Sequence, residues 1–518
     1  MRRSLRVGSA VILLLALTES ISWAAEVVAP IISVVGGFTK KICTLTGDIE
    51  YSSGRPRPTR NLTMTRFGLL GSDLGSSFMH HGKLYFLFGD SWGANPDLTT
   101  SRPDHLEGDA IAMTQDFSPQ DCLQLDFIAK PNAVNQKGTR PYISPVIREA
   151  NGGTVSLKQM EVPSGGFSAN DAIYAIYTTN SVNVPRRNAA GQTYTVVQMK
   201  ESVLAKSTDD AKTFNKVYSL SRCDGTPTSG RFINVAPVRV AQASTAGLPE
   251  AKEGVLFFGT SYAYRESLLY LAYVAVDRLE DHNAIWYYKG QDAAGKPSWS
   301  HNEADAVPLY DKVPEDANLG EISVMYHVHL KRWLLLYGGG TLRHAPEAWG
   351  RWSEPITIYD AWPNGGYCNY IHGFQWIDAP CMTAGNCPDP CPGVPDRCRQ
   401  QRCSPAIQYG SNLWCDGDGY LWKACDSLRM PPPATDAWNR KFGATYAPYV
   451  ISVLSENEPV PNQTDLYFTL STWNPYQVVL MTVRLQKQMP MLRRGEAPVP
   501  PKSLSVQKPR PSLLQLTR

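Results

Sequence analysis

Long apolar runs are missing from this chain beyond its first 25 residues, and a helix needs about 20 apolar residues to cross a bilayer. Charge is thin as well. Asp, Glu, Lys and Arg make up 19% of residues, and 50 basic against 47 acidic side chains leave a formal charge of +3. Residues 1–25 hold three Arg and one Glu, so their removal lowers the charge to +1. So even a balance offers no electrostatic footprint for nucleic acid or an anionic membrane surface. No Gly-x-Ser-x-Gly elbow, phosphate-cradling glycine loop or metal-ligand spacing occurs, and no cofactor or metal is expected. Convincing amphipathic helices are few, which argues against bundles and alternating α/β folds.

What the chain has in plenty is Gly, Pro, Tyr and Trp, the composition of many short strands joined by tight turns. Met1 to Ala25 reads as a secretory signal. Arg2, Arg3 and Arg6 form its basic region, Val7 to Leu17 its apolar core, and Ser22-Trp23-Ala24 its cleavage pattern. In an exported chain, eleven cysteines point to disulfides rather than zinc. Eight of them, Cys368 to Cys425, fall within 58 residues. They sit in a Pro- and Gly-rich insert (361–436) that cannot bury much of a core, so cross-links would supply its order. Cys43, Cys122 and Cys223 lie outside it, and the odd total leaves at least one thiol free or paired outside the chain. Residues 26–65 form an N-terminal segment in which Asn61-Leu62-Thr63 is a glycosylation sequon for a eukaryotic host. Residues 486–518 form a Pro-rich basic tail that reads as disordered.

The most informative stretch is Gly71 to Gly93. His81-Gly82 is a hairpin turn signal, and Leu84 to Phe88 is an apolar run suited to a strand buried on both faces. Pairing outward from the turn sets Asp73 opposite Asp90 at the open end, with Cα atoms roughly 5 Å apart. Like charges directly opposite are destabilising, so the pair points to use in chemistry rather than to two turn-capping aspartates. Trp92 follows the pair and is a candidate for stacking on a sugar face. Asp109 opens a further strand of the same unit and is a candidate for orienting the pair.

Similar units follow. The second runs from Tyr142–Val146 through Asp171–Tyr177 to Val203–Ser207, where Ser207 to Phe214 resembles the Asp-box turn of sialidase-type propellers, with Ala211 in place of Gly. The third holds Val235–Val238, Gly254–Gly259 and Ser267–Val276. The fourth holds Glu321–Tyr326, Arg332–Tyr337 and Trp352–Tyr359. The fifth holds Ala447–Ile451, Asp465–Ser471 and Gln477–Arg484. Five units without intervening helices predict an all-β fold, a five-bladed β-propeller over 66–485, with the disulfide-rich insert between blades four and five.

Asp73-Leu74-Gly75, His81 to Gly93, Gly320-Glu321-Ile322-Ser323-Val324 and Ser471-Thr472-Trp473-Asn474-Pro475-Tyr476 together resemble the secreted domain of unknown function 4185. Part of that family is known as glycoside hydrolase family 183, endo-D-arabinanases that cut the arabinan of mycobacterial cell walls. The resemblance implies a five-bladed furanosidase propeller with its acids around the central funnel, and it carries the family's acidic pair onto Asp73 and Asp90. Chemistry agrees, because glycosidic cleavage takes one protonated and one ionised carboxyl group, and two close Asp push their pKa values apart. Glu321, opening the fourth inner strand, is a candidate to reach substrate in the channel. Arg265 and His372 are further candidates, to pair with an acid and to hydrogen-bond a sugar hydroxyl. The expected partner is a polysaccharide. A non-catalytic sugar-binding propeller is the competing reading, and a sialidase would need three convergent Arg and a nucleophilic Tyr that the sequence does not supply.

Overall fold

In each repeating unit one strand is buried on both faces across its middle, and in most of them that stretch carries no charged or amide side chain. Leu84–Phe88, Val255–Phe258 and Leu334–Leu336 are all at most 1% exposed. A computed structural model describes residues 31–488 apart from 51–56, 94–104, 131–138, 159, 188–190, 192, 242–246, 263–267, 312–318, 362–363, 365, 367–369, 372–443 and 474–475. The secretory signal, the basic tail and nearly all of the cysteine insert lie outside the described residues.

Five sheets account for the doubly buried strands, antiparallel throughout except where Ile147–Arg148 pairs parallel with Phe214–Arg222 in blade two. Their first strands in the ring are Leu69–His80, Pro163–Ala169, Asn234–Val240, Ile322–His327 and Ala444–Val450. Each packs against the next and the last against the first. This closed ring of edge strands is a five-bladed β-propeller. Alternation along the second strands assigns the cores. Tyr85 and Leu87 pack towards Ile173 and Tyr177 of blade two, while Leu84, Phe86 and Phe88 pack towards Val478 and Leu480 of blade five. Equivalent clusters fill the other three interfaces. A polar substitution on either face of such a strand would therefore sit between two blades.

Three expectations are corrected. The N-terminal segment is not a separate lead-in: Ile31–Val34 and Lys40–Thr44 both pair with Gln477–Gln488, so the two ends of the chain complete blade five and close the ring. Blade two opens with Pro163–Ala169, not Tyr142–Val146, which holds only an isolated bridge from Ala129 to Tyr142. Gly165 and Gly166 hide that strand from any β-propensity reading, yet the crowded axis demands them. A Cβ on Gly165 would lie 2.4 Å from Pro237, and one on Gly166 2.5 Å from Phe78. In blade four an extra strand, Thr341–Ala345, intervenes, and only Ile356–Thr357 of the predicted last strand forms.

The Asp-box turn is structural, as its sequence suggests. The Asp209 carboxylate accepts from the Thr213 N–H and hydroxyl, and Ser207 Oγ accepts from the Ala211 N–H. Asn61 is fully buried; its amide donates to the Leu45 and Leu123 carbonyls and its oxygen accepts from the Leu125 N–H. That leaves no access for a glycan, so the sequon is a packing residue.

Cys43, in the strand that closes blade five, is bonded to Cys122 of blade one, 79 residues away. Cross-linking a loop of that length stabilises mainly by restricting the unfolded chain. Replacing both cysteines with serine should lower stability by about 2–4 kcal/mol, seen as a lower urea midpoint. An unchanged midpoint would mean that strand pairing alone closes the ring.

Candidate active site

The register of the first hairpin holds near its turn and breaks where chemistry begins. His80↔Lys83 through Ser76↔Leu87 pair as the turn dictates. At Leu74-Gly75 a bulge intervenes, with Leu74 in the left-handed region at φ 65, and the ladder resumes at Leu74↔Phe88 and Asp73↔Gly89. Asp73 therefore faces Gly89, one residue from the expected partner Asp90. The Leu74 N–H, turned out of the ladder, donates to Ser471 Oγ at 2.8 Å. Gly89 is required by close approach: a Cβ there would lie 2.9 Å from Asp73 Oδ1 and 2.6 Å from Leu74 Cδ1.

A second bulge follows on the other side of the same strand. Phe88 pairs with Ala110 and Ser91 with Gly108, so Gly89 and Asp90 together oppose Asp109. Asp90 takes a left-handed φ of 38, and its N–H bonds to Asp109 Oδ1 at 3.2 Å. Two bulges thus bring three aspartates from three adjacent strands into one cluster, whereas a regular ladder would hold two of them opposed.

Other blades complete the surroundings. Tyr446, in the inner strand of blade five, donates to Asp73 Oδ2 at 2.8 Å. Tyr476 donates to the Asp90 carbonyl at 3.2 Å and also bonds the Asp73 carboxyl. The Met160 N–H donates to Asp90 Oδ1 at 2.8 Å. Glu321 stands just before the inner strand of blade four, close enough for its charge to act on Asp73. Asp73, Asp90, Asp109 and Glu321 are all buried, and no cation pairs with Asp73 or Asp109 among the described residues.

Burial, and then the charge of Asp90, push Asp73 well above the usual carboxylate range; the Tyr446 hydroxyl opposes this without prevailing. Burial and Asp90 push Asp109 up in the same way. Asp73 Oδ1 and Asp109 Oδ2 have no hydrogen-bond partner among the described residues. Each is an oxygen on which a proton can sit. The Tyr446 and Tyr476 hydroxyls are held well above their ordinary value by burial and Asp73, so they act as neutral donors. Asp90 Oδ1, with its backbone N–H donor from Met160, thus stands beside two carboxyl groups that are pushed towards their protonated form.

Of the seven residues singled out from sequence, Asp73, Asp90, Asp109 and Glu321 come together here. Trp92 is 6% exposed and packs among Leu70, Leu74, Tyr446 and Tyr476, so it supports the cluster as a core residue. Arg265 and His372 lie outside the described residues. Sequence reasoning missed Tyr446 and gave Tyr476 no role. Tyr446 had a signal available, since it stands near the start of an inner strand as Asp73 does. Glu161 is also buried, but it is satisfied: burial works to raise its pKa, while donors from Lys158, Ser181 and Ser156 prevail and lower it.

Fold and site together define a five-bladed propeller with an acidic cluster where the inner strands of blades one, four and five begin. The chain belongs to the family described as Domain of unknown function (DUF4185), whose model matches residues 59–482. A search of curated proteins finds no match. A solved structure of a protein of unknown function from Dyadobacter fermentans DSM 18053 is similar at 8% identity, covering 87% of this chain and 100% of that one. Its TM-score is 0.25, and no argument rests on it.

Asp109 allows a test by pH. A carboxyl group raised in the fold binds a proton that the unfolded chain has released above about pH 4, so its contribution to stability falls as pH rises. Asp109→Asn keeps the Oδ1 acceptor for the Asp90 N–H and removes that slope. The variant's gain in Tm over wild type should be larger at about pH 8 than at about pH 5. An equal gain at both would mean that Asp109 is ionised in the fold.

Proposed function

We propose that this protein is a secreted glycoside hydrolase that cuts furanosidic linkages in an arabinan-like polysaccharide. The observation that carries the reading is the asymmetry of Asp73 and Asp90. One carboxyl group is pushed towards its protonated form by burial and a neighbouring charge, while the other receives a backbone N–H. Cleavage needs such a pair: Asp73 gives its proton to the departing glycosidic oxygen, and ionised Asp90 assists at the anomeric carbon. Asp90 does so by attacking that carbon or by taking a proton from an attacking water, and the carboxyl separation in the substrate complex decides which. Tyr446 holds the Asp73 oxygen that does not carry the proton. The furanosidic, arabinan-like substrate is supported by the sequence resemblance to a family of which part is known as endo-D-arabinanases. Export is supported by the Cys43–Cys122 disulfide, which suits an oxidising compartment, as well as by the signal-like residues 1–25.

The purified mature protein should release oligosaccharides from arabinogalactan. Asp73→Asn and Asp90→Asn should each slow that release by about 10²–10⁴-fold while Tm holds or rises. Asn suits the left-handed backbone at Asp90, so loss of turnover there will not reflect backbone strain. If wild type binds the polysaccharide but releases nothing, the protein is a sugar-binding propeller. Variants that melt early yet cut at the wild-type rate would reduce both aspartates to turn caps.

A further inference from the structure

At the opposite end of the ring, the turns that reverse the inner strands bring together a second set of chemistry-bearing side chains. A cavity of about 820 Å³ lies between the inner strands and reaches His80 and His81 in the turn of the first hairpin. Two turns of blade two stand beside them: Asn170-Asp171 after its inner strand, and Asp209-Asp210-Ala211 in the Asp-box. His80 is 4% exposed, and its Nδ1 is 2.8 Å from Ser168 Oγ. With the Nδ1 proton given to Ser168, the lone pair of Nε2 is directed to Asp210, 3.9 Å away. His81 lies against it, ring centroids 3.8 Å apart, with its Nε2 2.6 Å from Asp171 Oδ1. One ligand atom each from His80, His81 and Asp210 falls within 4.8 Å of the other two.

We propose that His80, His81 and Asp210 bind a divalent transition-metal ion of the Zn²⁺ type, with Ser168 and Asp171 orienting the two imidazoles from behind. Two imidazoles and one carboxylate are a donor set that Zn²⁺ accepts, with a solvent molecule in the open position. A hydroxyl or carboxylate behind each ring is the usual means of fixing its tautomer. An ordinary surface ion pair would explain His81 and Asp171. It would not explain a buried His80 whose Nε2 stands 3.9 Å from a second carboxylate, nor two imidazoles held with centroids 3.8 Å apart and planes tilted by 31°. His81 and Asp210 are exposed, and coordination asks their ligand atoms to close by about an ångström. His80 and His81 belong to blade one and Asp210 to blade two. The ion would therefore clip those two blades together. It would stand roughly 20 Å from Asp73, seven residues back along the same strand, and take no part in hydrolysis.

The test uses the full mature chain without a polyhistidine tag, stripped with EDTA and titrated with ZnCl₂ by calorimetry. Wild type should show saturable binding of one ion per chain at this site and a higher Tm with Zn²⁺ present. His81→Gln and Asp210→Asn, both at exposed positions, should each weaken that binding by about 100-fold or more. Ser168→Ala and Asp171→Asn should weaken it by about 10-fold, the effect of losing a group that orients a ligand. Absence of saturable binding would overturn the proposal. So would Zn²⁺ binding that persists unchanged in both His81→Gln and Asp210→Asn, since the ion would then be held elsewhere, for instance by the cysteines.

Discussion

Burying a carboxyl group without a cation beside it is among the costlier things a fold can do, and this one gathers three aspartates within a single blade. Water cannot solvate Asp73 or Asp109, and neither has a basic partner among the described residues. The cheapest escape is to keep a proton, which is why both pKa values are driven up. Asp90 differs from Asp73 in accepting a backbone N–H on Oδ1, from Met160. The rest of the site follows from that division. Tyr446 and Tyr476 are donors that burial keeps neutral, and they soften the cost of the acids without adding charge.

The backbone is shaped to the same end. Continued regularly from Phe88↔Ala110, the ladder would pair Asp90 with Gly108 and send the Asp109 side chain to the opposite face from Asp90. Bulges at Leu74-Gly75 and Gly89-Asp90 re-aim them. Positive φ at Leu74 and Asp90 is the strain this entails, and the packed hairpin around them sustains it. Gly89 leaves the space into which the Asp73 carboxyl folds. Trp92, Leu70 and Leu74 pack with Tyr446 and Tyr476 into an apolar cluster beside the acids, which lowers the local dielectric.

Much of the propeller was legible because its signals are local. A doubly buried strand after a turn is visible as an apolar run, and His81-Gly82 fixes the hairpin register as far as Ser76↔Leu87. Beyond that point the bulge at Gly75 moves Asp73 by one residue, and no pattern of polar and apolar residues announces where a ladder will slip. The inner strand of blade two was hidden by Gly165-Gly166, residues poor in β-propensity but demanded by contact with Pro237 and Phe78 across the axis. Ring closure by Ile31–Val34 and Lys40–Thr44 was equally out of reach, since pairing between the two ends of a chain leaves no trace within a short window. The same holds for the His80–His81–Asp210 cluster, which has no ligand spacing in sequence and exists only where three turns converge. Asp73, Asp90, Asp109 and Glu321 were legible as candidates because acids beside glycine at strand ends are conspicuous; their shared burial and the role of Tyr446 were not.

The account turns on whether Asp73 holds a proton at neutral pH. Infrared difference spectroscopy of wild type against Asp73→Asn measures that directly, since a protonated carboxyl group and a carboxylate absorb in separate regions. The account predicts that the variant loses a protonated-carboxyl C=O band at about pH 7 and that its carboxylate bands are unchanged. Loss of carboxylate bands instead, with the C=O region untouched, would show Asp73 ionised in the fold and would contradict the division of roles on which the catalytic reading depends.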